Sequence, residues 1–124
     1  MNVVDSSGWI EYLIGGKNAN FFVPPIRDFA RLLVPSICIY EVFKQLLVSA
    51  DEDAALLAIG VMSQGQEVVL ERTIAIHAAH LSRQLKLALA DSIILATARL
   101  HQATLWTQDE HFKGLEGVQY IEKR

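Results

Sequence analysis

The sequence predicts an α/β fold: one domain over residues 1–124, with a central parallel sheet of four to five short strands flanked by helices. Three observations predict it. Short apolar runs alternate with helical stretches along the whole chain, the pattern of βαβ units. The runs are mostly continuous rather than alternating in polarity, as strands are when helices cover both sheet faces. Finally, 124 residues, 52% hydrophobic and 20% charged, are enough for one well-buried core and too few for two domains. The same composition excludes disorder, which requires few apolar residues and a high net charge.

The elements follow in order. Residues 2–5 (Asn-Val-Val-Asp) read as a buried strand running into a helix that begins at Ser6. Trp9, Ile10, Leu13 and Ile14 recur at helical spacing, and Gly15-Gly16 ends that helix. Residues 17–24 carry no clear period, and Pro24-Pro25 favours a short helix starting near Pro25 with Ile26, Phe29 and Ala30 on one face. Leu32-Leu33-Val34-Pro35 is a second strand. From Ser36 an amphipathic helix places Ile39, Val42, Phe43, Leu46 and Leu47 on one stripe. A further helix, apolar on most sides, covers about residues 52–63, and Glu67–Leu70 is a third strand. Thr73 can cap the next helix, whose stripe is Ile74, Ala78, Leu81 and Leu85. Ser92–Leu100 is apolar nearly all round and therefore central, while 103–107 and 118–121 supply the fourth and fifth strands.

A single Cys38 excludes a disulfide framework. Asp5 and Glu11 interrupt any apolar leader, and the longest run without Asp, Glu, Lys or Arg is Ala54–Gln66, short of a membrane span. A cytoplasmic protein is expected. With so few charges, some apolar area is left for self-association or a partner. The net charge of −3 gives no overall electrostatic footprint for nucleic acid.

Ligands of open parallel sheets bind beyond the carboxyl ends of the strands, where the strand order reverses. Asp5 ends the first strand and Asp109 follows the fourth, so both point at that edge. Asp91 opens the apolar helix that feeds the fourth strand. Glu41 lies a turn and a half into its helix, nearly opposite the Ile39/Phe43/Leu46 stripe at roughly 100° per residue, so spacing alone does not aim it at the edge. Each acid also has a local reading: Asp5 and Asp91 as helix N-caps, Asp109 as a turn residue, Glu41 as a solvated charge near Lys44. Taken together, converging carboxylates raise one another's pKa unless a cation neutralises them. An all-oxygen site of that kind suits Mg²⁺ or Mn²⁺.

Four segments carry a family resemblance: Val3-Val4-Asp5-Ser6-Ser7, Ser36-Ile37-Cys38-Ile39-Tyr40-Glu41, Ala90 to Ala98 around Asp91, and Leu105-Trp106-Thr107-Gln108-Asp109-Glu110-His111-Phe112. In type, order and chain length they resemble the PIN-domain ribonucleases, and among these the VapC-type toxins of toxin–antitoxin operons. The resemblance implies that Asp5, Glu41, Asp91 and Asp109 are the catalytic, metal-site acids, with Ser7 and Thr107 as supporting hydroxyls. It implies a Mg²⁺- or Mn²⁺-dependent endoribonuclease that hydrolyses RNA phosphodiester bonds to 3′-hydroxyl and 5′-phosphate ends. It also implies a small antitoxin folding over the apolar helices of the first half, and a homodimer. Cys38 stands where many relatives have Thr. His111 stands where many have another acid, which leaves open whether one ion or two is held.

Lys44, one turn after Glu41 on the same side of its helix, is the best single candidate for an RNA-phosphate contact. A catalytically inactive PIN-like interaction module is the alternative reading, and the presence of all four acids favours the nuclease. A phosphoacceptor receiver domain fits poorly, because serines follow Asp5 and the third strand runs into Leu70-Glu71-Arg72. His77 and His80 share a polar helix face with Thr73 and Gln84 and are expected in solvent. His101 and His111 have no Cys or His partner at ligand spacing. No glycine-rich phosphate loop is present.

Overall fold

A computed structural model describes residues 1–124. Its strands are β1 (Asn2–Val4), β2 (Leu32–Pro35), β3 (Gln66–Val68), β4 (Thr104–Thr107) and β5 (Val118–Tyr120). Its helices are α1 (Ser6–Ile14), α2 (Ala19–Arg27), α3 (Ser36–Ser49), α4 (Glu52–Met62), α5 (Arg72–Leu85) and α6 (Leu89–Leu100). All strand pairs are parallel, and the order is β3-β2-β1-β4-β5. The chain therefore starts in the middle of the sheet, moves outward to β2 and β3, and returns through α5 and α6 to the other side of β1. The order reverses between β1 and β4, and the crevice expected of such a sheet opens at their carboxyl ends.

Buried Val3, Val4, Leu33, Val34 and Leu105 of the strands pack with Trp9, Phe22, Ile94, Leu95 and Phe112. Helices α1, α2, α3 and α6 touch the strands directly, α4 lies on α3, and α5 lies on α6. Helix α6 is buried from Ser92 to Ala98, as its all-round apolar sequence requires. At Gly8 a Cβ atom would stand 2.5 Å from the Phe22 ring and 2.7 Å from Val4 Cγ1, so the first turn of α1 can sit on β1 only without a side chain there. No helix is long and apolar enough to cross a membrane.

Several boundaries differ from the sequence expectation. Helix α2 begins at Ala19, well before Pro25, and holds both prolines in its second half. The buried i, i+3, i+4 set Phe22, Pro25 and Ile26 sustains it; packing here outweighs the backbone bond each proline forgoes. Phe29 and Ala30 lie in a separate 3-10 turn (Phe29–Arg31) and are exposed. Val69 and Leu70 leave the sheet after β3 and face solvent. Helix α5 is capped by Glu71, whose carboxylate accepts from the amides of Thr73 and Ile74, so Thr73 lies inside the first turn. Its stripe is buried at Ile74, Ala78 and Leu81, with Leu85 half-buried. Helix α6 starts at Leu89, capped by Ala88, rather than at Ser92, because Leu89 and Ala90 are good helix formers that extend it backwards.

Candidate metal centre

Strand register assembles the first part of the site. Val4 of β1 lies opposite Trp106 of β4, so the next residues, Asp5 and Thr107, meet at the carboxyl edge. The Asp5 amide continues the ladder by donating to the Trp106 carbonyl at 3.1 Å. The Thr107 hydroxyl donates to Asp5 Oδ2 at 2.7 Å and accepts the Asp109 amide at 2.9 Å, tying together the two segments that follow the central strands. The Ser7 hydroxyl lies 2.9 Å from both Asp5 oxygens, and the Gly8 amide donates to Oδ1 at 2.9 Å. Asp5 is thus the N-cap of α1, as its local reading has it, and it also stands at the carboxyl edge of the sheet.

Asp91 occupies the first turn of α6 instead of its cap, since the helix starts two residues earlier. Its carboxylate is not consumed by a capping bond and points to the same edge. His111 Nδ1 is 3.4 Å from Asp91 Oδ2 and 3.2 Å from Asp109 Oδ1. One donor atom from each of these three residues falls within 4.8 Å of the others, a grouping able to hold a cation. Asp109 caps the following 3-10 turn by accepting the His111 amide at 2.9 Å, and buried Phe112 anchors that turn.

Glu41 reaches the site by a route the helical wheel did not give. The buried stripe of α3 runs through Cys38, Val42 and Leu46, rotated from the one expected, and Leu47 faces solvent. Glu41 therefore flanks the packed side, where the Ser6 hydroxyl donates to its Oε1 at 2.6 Å. Ser6, Ser7, Tyr40, Glu41 and Lys44 line one groove of about 380 Å³. Lys44 is exposed there, its Nζ 5.7 Å from the centre of the Tyr40 ring.

The electrostatics are those of crowded acids. Burial pushes the Asp5 carboxyl up to about 7, against the hydrogen bonds from Thr107, Gly8 and Ser7, and the Asp109 charge adds to the rise. Burial also raises Asp91, with the charges of Asp109 and Glu41 adding and His111 opposing. Beneath them Cys38 is fully buried, and burial, with Asp5, Glu41 and Asp91 around it, holds its thiol far above the ordinary range. It is a packed residue and no nucleophile. No lysine or arginine forms an ion pair with any of the four acids; His111 is the one basic side chain that reaches them.

Of the four acids named from the sequence, Asp91 and Asp109 come together with His111 within 4.8 Å, while Asp5 and Glu41 lie beside this group as charged neighbours outside it, and Ser7 and Thr107 bond to Asp5. His111, noted in the sequence as standing where many relatives have another acid, was not expected to contact the acids itself, and the structure places it against Asp91 and Asp109. The available signal was its place two residues after Asp109, where an Asx turn folds the chain back onto the carboxylate.

The sequence model of the PIN domain matches residues 3–118. The chain belongs to the PIN-domain family. No curated protein matches it in sequence. Among solved structures, a chain of a toxin–antitoxin complex from Klebsiella pneumoniae is 25% identical with a TM-score of 0.80, over 99% of this PIN domain and 100% of its own length. VapC20 of Mycobacterium tuberculosis, described as a sarcin–ricin loop cleaving toxin, gives 0.77 at 14% identity, covering 94% and 95%. A DNA-bound VapBC from Salmonella typhimurium gives 0.77 at 16%, covering 98% of each chain. At those last two identities the likeness is one of fold. It matches the VapC resemblance drawn from the sequence motifs.

Proposed function

We propose that this PIN-domain protein is a metal-dependent endoribonuclease and acts as the toxin of a toxin–antitoxin pair. The observation that carries the reading is the grouping of Asp91, Asp109 and His111 donor atoms within 4.8 Å of one another, at the crevice that Asp5 and Glu41 also border, with no lysine or arginine paired to any of the acids. Such a set needs a cation from solution, and oxygen donors of this kind suit Mg²⁺ or Mn²⁺. A divalent ion bound there supplies the Lewis acidity that polarises a phosphodiester and makes water a nucleophile at neutral pH.

The chain's own groups do the rest. Asp5, Asp91, Asp109 and Glu41 would hold the ion. Ser7 and Thr107 fix the Asp5 carboxylate by their hydrogen bonds, so it meets the ion without reorganisation. Lys44, in the groove beside Glu41, binds an RNA phosphate next to the one cleaved. One solved neighbour is described as a toxin–antitoxin complex and another as a toxin, and exposed Ile14, Tyr40, Val48, Leu56 and Leu57 on α1, α3 and α4 offer an antitoxin apolar side chains.

The test is cleavage of end-labelled total small RNA by the purified protein with Mg²⁺, with Mn²⁺ and with EDTA, beside Asp91→Asn. Discrete cuts that need metal and vanish in the variant are expected. A folded protein that neither cuts nor binds metal would leave an inactive interaction module.

A further inference from the structure

We propose that the His111 imidazole is itself a ligand, through Nδ1, making this a mixed nitrogen–oxygen centre that selects Mn²⁺ and later first-row ions over Mg²⁺. The inference rests on the metal-dependent reading above and concerns the ion that site prefers. The geometry carries it. Adjacent ligand atoms of an octahedral ion with bonds of about 2.1 Å stand about 3.0 Å apart. Nδ1 already lies 3.2 Å from Asp109 Oδ1 and 3.4 Å from Asp91 Oδ2, close to that edge without main-chain movement.

The ring is delivered to this place by the fold. The His111 amide is bonded to the Asp109 carboxylate, and Phe112, the next residue, is fully buried, so the 3-10 turn fixes where the side chain departs. The His111 side chain is 65% exposed, and its only close polar contacts are the two carboxylates. It is therefore not a core histidine held by packing. A neutral imidazole nitrogen suits transition ions, whereas Mg²⁺ takes oxygen ligands and dehydrates reluctantly. The competing role is simple counter-charge: an imidazole that balances the acids and swings away when an ion enters. The two roles differ in whether nitrogen is bonded to the ion.

Electron spin echo spectroscopy of Mn²⁺ bound to the purified protein distinguishes them, together with Mn²⁺ and Mg²⁺ affinities by calorimetry, for wild type, His111→Ala and His111→Asp. Directly bound nitrogen modulates the echo in wild type and not in either variant. Losing even outer partners of a site costs metal affinity about 10–100-fold, so His111→Ala weakens Mn²⁺ by at least about tenfold. Mg²⁺ weakens less, and His111→Asp moves the preference back toward Mg²⁺. The exposed position lets both variants fold, which circular dichroism verifies. Wild type that binds Mn²⁺ and cleaves RNA without nitrogen modulation, or a Mn²⁺/Mg²⁺ ratio unchanged in His111→Ala, overturns the ligand role alone. Wild type that binds no Mn²⁺ overturns this inference and the metal-dependent reading together.

Discussion

Asp5 accepts hydrogen bonds from Ser7, Gly8 and Thr107 and is only 3% exposed, so its ionised form is well oriented and poorly solvated. Its carboxyl stands near 7 in the folded metal-free chain and at an ordinary 3.8 when unfolded. A group raised by folding contributes stability that is fully present below the lower value and lost as pH rises through the higher one. Metal-free protein should therefore lose on the order of 4 kcal/mol between about pH 4 and pH 8. Saturating Mn²⁺ should restore much of it; urea denaturation across that range, with and without the ion, checks this. Asp5→Asn should remove RNA cleavage while making the metal-free fold at pH 8 more stable by about 1–3 kcal/mol, the usual trade at strained functional sites. Thr107→Val leaves the half-buried Asp109 amide without its acceptor and Asp5 without a donor. A loss of about 1–3 kcal/mol is expected, with weaker Mn²⁺ binding in the same calorimetric titration. At this scale strand ends marked Asp5 and Asp109, whereas Asp91 and Glu41 were assigned by the family resemblance. The sequence could not show that Thr107 joins two of these acids, because that depends on β1/β4 register, nor that the turn after Asp109 returns His111 to the cluster.

The strands and helices that position these residues were readable where one local signal dominated. The apolar β1 and β2, the helix beginning at Ser6, the Gly15 stop and the central α6 follow from period, caps and composition. Element starts were misread where packing or a less common cap decided the outcome: α2 through its prolines, α5 with Glu71 in place of Thr73, and α6 three residues early. The last has a functional consequence, since an Asp91 in the first turn keeps its carboxylate for the site and still meets the positive end of the helix. The rotation of the α3 stripe onto Cys38 and Val42 likewise decides where Glu41 points, and a wheel drawn on Ile39 and Phe43 hides it. The close seat of α1 on β1 gives a prediction at this scale. Gly8→Ala must displace Phe22 or Val4, costing about 1–3 kcal/mol by chemical denaturation. Because Asp5 and Ser7 lie on the same turn, Mn²⁺ affinity should fall with it.

Over the whole molecule, a charge of −3 is compatible with the proposed nuclease role, because four of the fourteen acids belong to the proposed metal site and the remaining ten stand against eleven lysines and arginines. Modest RNA affinity with a clear salt dependence follows. Exposed apolar side chains include one group on α1, α3 and α4 and another around a groove of about 500 Å³ lined by Leu70, Ala75, Ala79, Leu89 and Ile93 between α5 and α6. The excess of apolar residues over charges foretold exposed apolar area, but only the folded helices show that it is divided. We predict that the purified chain sediments as a dimer or larger at micromolar concentration; a monomer would contradict self-association.

On the reading proposed here, acids from four distant segments form one metal centre at the β1/β4 crevice. Anomalous diffraction from crystals equilibrated with Mn²⁺ tests it most directly. A strong anomalous peak in contact with Asp5, Asp91 and Asp109, lost in Asp91→Asn crystals, is the predicted result. A map with no Mn²⁺ at that crevice, from crystals in which it is open to solvent, would contradict it.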